Sequence, residues 1–115
     1  MKREEIERNA NLIAEAYALS FEFWQHNIGY KEISKAEKIA RALGLEDEIE
    51  KIKELEAIND RLIDDESEEN LDLFQHAGSI KQIYEYIENI KKRKEEAEEN
   101  KKEFEKILEK IKAEI

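Results

Sequence analysis

From Leu12 to Trp24 the chain is apolar almost all round: Leu12, Ile13, Ala14, Ala16, Tyr17, Ala18, Leu19, Phe21, Phe23 and Trp24, broken only by Glu15, Ser20 and Glu22. A surface helix shows a single apolar stripe. This pattern predicts a helix over 3–27 that is covered on several sides, centrally in the fold or partly by a second chain. Gly29 is expected to close it in a left-handed cap. Ser34-Lys35-Ala36-Glu37 has capping-box spacing, so a short helix is placed at 31–43 with Ile33, Ala36, Ile39, Ala40 and Leu43 inward. Gly44 followed by Leu45 reads as a Schellman ending. Asp47 can cap a helix over 46–64, whose apolar positions are Ile49, Ile52, Leu55, Ile58 and Leu62. No apolar residue occurs between Ile63 and Leu71. A break is therefore expected there, with Ser67 capping a helix over 67–77 that ends at Gly78. A last helix, 79–115, opens at Ser79 on Ile80, Ile83, Tyr84, Ile87 and Ile90. It crosses the charged stretch 91–103, where Ala97 is the only apolar residue, and regains a stripe at Phe104, Ile107, Leu108, Ile111 and Ile115. The expected fold is all-α: one domain over 1–115, a four- to five-helix bundle of two unequal antiparallel hairpins.

Composition supports helix throughout. The 115 residues include no Pro and three Gly, and 43% are charged; straight-chain residues and Ala lose little entropy in a helix. Lack of Cys removes disulfides, thiolate catalysis and Cys-type zinc sites. No apolar run is long enough to span a membrane and no leader pattern is visible, so a soluble cytoplasmic chain is expected, with no membrane partner. The charge of −10 is local: residues 46–72 carry 13 acids against three bases, and the remainder cancels. Direct nucleic-acid binding is disfavoured, because phosphate needs a basic surface. A basic protein surface is the expected partner, and a homodimer is a second arrangement.

Both histidines occur in the same local pattern. Phe21-Glu22-Phe23-Trp24-Gln25-His26 and Leu71-Asp72-Leu73-Phe74-Gln75-His76 match as apolar, acid, apolar, aromatic, Gln, His, and each precedes a Gly. Glu22/His26 and Asp72/His76 are four apart, which puts carboxylate and imidazole on one helix face. Converging pairs would suit a divalent transition metal. Haem is a second cofactor compatible with the pattern, with His26 or His76 axial and Trp24, Phe74 or Tyr17 lining a pocket. The competing reading is that both histidines simply end helices, where the dipole favours them.

Phe21, Phe23 and Trp24 cannot all face one way, so at least one is expected on the surface. With Asp64, Asp65, Glu66, Glu68 and Glu69 they form the expected partner-binding set. The acidic stretch is not a calcium loop: counting Asp64 as position one puts Glu69 where Gly is needed and Gln75 where a bidentate Glu belongs. Neither a P-loop nor a Gly-rich dinucleotide turn, a His-Glu-x-x-His or a nucleophile elbow is present, and no catalytic residue is assigned.

Ala16-Tyr17, Gly29-Tyr30 and Ala36 resemble a tetratricopeptide hairpin over residues 14–43. The spacing differs and the second half does not repeat at that period, so nothing is carried over. The whole chain resembles a de novo designed helical protein in its Glu/Lys exterior, capping boxes, glycine stops and Lys102–Ile115 ending. It departs from that pattern in its irregular middle, its asparagines and its preference for Ile over Leu. The expected function is a non-catalytic interaction or scaffold protein. Alternatives are a metal-, haem- or small-molecule-binding bundle and an acidic inhibitor that mimics nucleic acid.

Overall fold

The buried positions of the two longest helices alternate at spacings of three and four. One set is Ile52, Leu55, Asn59, Leu62 and Glu66. The other is Ile83, Tyr86, Ile90, Ala97, Asn100, Phe104, Ile107 and Ile111, with half-buried Arg93 at the step between Ile90 and Ala97. That heptad spacing keeps one seam facing a neighbouring helix along its whole length, and the chain folds accordingly. The computed structural model describes the backbone of residues 3–76 and 80–115 and the side chains of 7–70 and 80–115. The elements are α1 (Arg3–Gln25), α2 (Tyr30–Ala42), α3 (Glu46–His76) and α4 (Ile80–Ala113). All four are α-helices, and no strand occurs among the described residues.

Cross-helix pairs set the directions. Glu15 and Glu22 of α1, and His26 just after it, meet Lys91, Lys94 and Glu98 of α4 in ascending order, so these two helices run parallel. Arg61 meets Glu96, and Leu55 meets Asn100, so α3 and α4 are antiparallel. The first helix and α2 form one interrupted rod beside that pair. The result is a narrow bundle of 64 × 20 × 18 Å.

The interruption lies at residues 26–29. There Asn59 of α3 holds the free backbone of Ile28 from both sides: its Oδ1 accepts from Ile28 N–H and its Nδ2 donates to Ile28 C=O, each at 3.0 Å. Asn59 and Asn100 are buried at this level. On one side of them lies an apolar cluster built on Phe23, Leu62, Ile87 and Ile90. On the other lies a cluster built on Ile33, Ile52, Phe104 and Ile107.

Several sequence expectations are corrected. Gly29 is extended (φ −70°, ψ 141°) and precedes α2, rather than closing α1 in a left-handed cap. The 31–43 helix begins at Tyr30, so Ser34 is an exposed interior position and not a cap. Asp47 is likewise inside its helix, which starts at Glu46. The Schellman ending is present: Leu45 N–H donates to Ala40 C=O at 2.9 Å and Gly44 N–H to Arg41 C=O at 3.2 Å, with Gly44 at φ 70°. The break expected at 64–70 is absent. Residues 46–64 and 67–77 are not two helices; α3 runs unbroken to His76. Its apolar gap is bridged by polar side chains that turn inward. Ser79 lies outside the described residues.

Candidate interaction face

Glu66 is fully buried, and four side chains donate to its carboxylate. Oε1 accepts from Ser20 Oγ at 3.1 Å, from Asn70 Nδ2 at 3.3 Å and from the Tyr86 hydroxyl. Oε2 accepts from Arg93 at 3.0 Å. The same Arg93 nitrogen donates to Glu69, whose other oxygen accepts from Asn89 Nδ2 at 2.9 Å. Burial, then the bond to Glu66, pushes the Tyr86 hydroxyl far above its ordinary range. The Glu69 and Glu66 carboxylates outweigh desolvation and raise the Arg93 guanidinium. This network ties α1, α3 and α4 together, and its donors are directed at one another's acceptors, apart from the buried Arg93 Nε, which has no hydrogen-bond partner among the described residues. It is a polar layer of the core rather than a site open to a substrate.

Glu66 and Phe23 were both expected to face a partner, and both are fully buried instead. Each continues the inward register of its helix: Glu66 follows Asn59 and Leu62, and Phe23 follows Ala16 and Ser20. Composition hid this for Glu66, since a carboxylate in an acidic run reads as solvated. Its heptad position was the signal that could have found it. Glu69 is engaged by Arg93, and Asp65 Oδ2 lies 3.9 Å from Arg61. Asp64 and Glu68 are exposed.

The repeated Gln-His motif does not come together. His26 lies at the level of Asn59, and His76 is farther along α3 by about 25 Å at the helical rise. The side chains of Asp72, Phe74 and His76 lie outside the described residues. His26 Nε2 is 3.2 Å from Glu98 Oε1, and Glu22 Oε2 is 2.6 Å from Lys94 Nζ. The bonded Lys94 ammonium holds the Glu22 carboxyl below the usual carboxylate range. The Glu22 carboxylate is thus matched by a cation rather than left open for a metal. Among the described residues no group of three or more His, Asp or Glu is placed to hold a metal ion. Among the described residues no haem pocket is assembled around His26 either. Trp24 is two residues away and so projects from the opposite flank of α1. The surface depression at His26 is walled by Glu98, Lys101, Lys102 and Glu105.

That opposite flank carries the aromatics. Tyr17, Phe21 and Trp24 follow one another at spacings of four and three and are 55%, 65% and 41% exposed. Exposed Ala10 and Ala14 extend the same stripe. Ser20 reaches α3 from this side of α1, whereas Glu15 and Glu22 reach α4 from the other. The aromatic stripe therefore borders α3.

On α3, Glu56, Asp60 and Asp64 form an acidic edge beside Tyr30 at the start of α2. The Tyr30 hydroxyl donates to Asp60 Oδ1 at 2.7 Å. That bond, with burial and the charges of Asp60, Asp64 and Glu56, raises its pKa. The three carboxylates are spaced by four on one face of α3. Among the described residues, Glu56 and Asp64 have no cation beside them. Phe23 stands edge-on to Trp24, with ring centroids 5.4 Å apart, and so fixes the indole from within.

No protein-family model, no curated protein and no solved structure matches the chain. No described helix is long and apolar enough to cross a membrane. The class defined by the fold is all-α, and among the described residues Tyr17, Phe21 and Trp24 form an exposed apolar flank on α1.

Proposed function

We propose that the chain is a non-catalytic helical interaction protein that binds a basic protein partner through the outer flank of α1 and the acidic edge of α3. One observation carries this reading: Tyr17, Phe21 and Trp24 are exposed together along one flank of α1. Isolated surface aromatics need no explanation, but a contiguous stripe rimmed by charge has the make-up of a binding surface. Aromatic anchors supply affinity, and the acids speed encounter with a basic surface and set its salt dependence.

The test is selection of a displayed random-peptide library against the wild type and against a Tyr17→Ser/Phe21→Ser/Trp24→Ser variant of unchanged helicity. The wild type should enrich sequences that combine Lys or Arg with apolar residues, retained at low salt and released at high salt. The variant should not enrich them. Equal enrichment on both proteins would remove the stripe from the account, and enrichment of acidic sequences would overturn the reading.

A further inference from the structure

We infer that α2 is a strap. It opens as one piece about residues 26–29 while α1, α3 and α4 stay folded, and so uncovers an apolar groove that α3 and α4 form between them. The strap is separate from the outer flank of α1. Three observations lead to it.

Small side chains hold α2 down. It packs its backbone on α3 and α4 and not on α1, and its buried residues are Ile33, Ala36 and Ala40. Two of the three are alanines, which remove little apolar surface from water. Ile39 is only partly buried, and Leu43 just past the helix is 39% exposed. By contrast, α1 seats the whole Phe23 ring in its cluster. No side chain caps the first turn of α2. A helix of 13 residues is marginal in water by itself, so α2 depends on this thin contact.

Both ends of α2 turn in open space. Beyond its chain neighbours, a methyl group added at Gly44 would meet no atom within 4 Å, and one added at Gly29 would meet only the Glu32 side chain, at 3.9 Å. Ile28 is the fixed point: it is buried, and Asn59 clasps its backbone. The chain can therefore swing at Gly29 without disturbing α1. At the same level Asn27 Oδ1 and Nδ2 and Asn100 Oδ1 are buried with no hydrogen-bond partner among the described residues. Such atoms carry a desolvation cost that water removes once the layer opens. The open state thus gains hydrogen bonds that the closed state lacks.

The floor stands without α2. Ile52 and Leu55 of α3 share one cluster with Phe104, Ile107 and Ile111 of α4, and Asn100 Nδ2 donates to Leu55 C=O across the two helices. Both helices run unbroken past the hinge, over 31 and 34 residues. The cluster that carries α1 shares no buried residue with this one. Opening at one end of the bundle therefore need not break the other. The groove left bare holds Phe104 and Ile107, large apolar side chains that α2 covers mainly with alanines.

Native-state hydrogen exchange, read by NMR on the full chain, tests the strap. Amides of residues 33–42 should exchange through one shared opening, at least about thirtyfold faster than the slowest amides of α4. Their urea dependence should be shallower, because the opening exposes less surface than global unfolding. Amides of residues 12–23 in α1 should not follow them. Ile90 lies in the other cluster, so Ile90→Val should speed the slowest α4 amides about two- to tenfold and leave α2 unchanged. Ala40→Gly should speed both, since it weakens the closed state itself. Exchange of α2 at the rate and urea slope of α4 overturns the inference. So does Ile90→Val if it speeds α2 as much as α4. A single opening shared by α1 and α2 would move the hinge away from 26–29 and overturn it as well.

Discussion

Glu66 shows how far a single residue's place can depart from its type. A carboxylate between Asp65 and Glu68 is fully buried because three helices bring hydroxyl, amide and guanidinium donors to it. Removing one member of a buried ion pair leaves an uncompensated charge, so Arg93→Met should cost about 3–5 kcal/mol in urea unfolding. The Arg93→Met/Glu66→Leu double variant should cost less than the sum of the two singles. A loss under about 1 kcal/mol for Arg93→Met would mean that the bond from Arg93 to Glu66 adds little to the stability of the fold.

Tyr86 adds a pH signature. Its folded pKa lies above the unfolded value of about 10, so the folded state holds the proton more tightly. Its contribution is fully present below that pH and is lost as pH rises beyond it. Stability should therefore fall faster with alkaline pH in the wild type than in Tyr86→Phe, read from denaturation midpoints across that range. Parallel slopes would contradict the burial of the hydroxyl.

At the scale of elements, α3 is the informative case. Its polar stretch carries the inward register past Leu62 by substituting Glu66 and Asn70 for apolar residues. Ser67 is consequently an exposed interior position, where Ala is the better helix former. Ser67→Ala should stabilise the fold by about 0.5 kcal/mol in chemical denaturation. A helix start at Ser67 would give the opposite sign, a loss of about 1 kcal/mol. The break between α1 and α2 is held in a comparable way. Asn59→Ala strips partners from both Ile28 backbone groups and should cost about 2 kcal/mol or more. A neutral result would show that water replaces the amide without loss.

At the scale of the whole molecule, the two faces of α1 should separate cleanly. Phe23 is fully buried and Phe21 is 65% exposed, although they are two residues apart. Phe23→Ala should cost about 3–5 kcal/mol. Phe21→Ala should leave the melting temperature nearly unchanged, because its ring faces water already. Similar losses from both would mean that a second copy covers the outer stripe in solution.

Hydrophobic period, helix-favouring composition and the Gly44-Leu45 stop determined on their own that this chain is all-α and where α2 ends, because those signals are local. The exposure of part of the Phe21–Trp24 group was legible too, since no helix turns three such residues to one side. Tertiary structure alone decided the rest. It made α3 one helix, because the partners of Glu66 come from α1 and α4. It separated the two histidine motifs, because antiparallel packing sets them at different heights. It also brought Tyr30 to Asp60, which are 30 residues apart in the chain and meet only when the rods align.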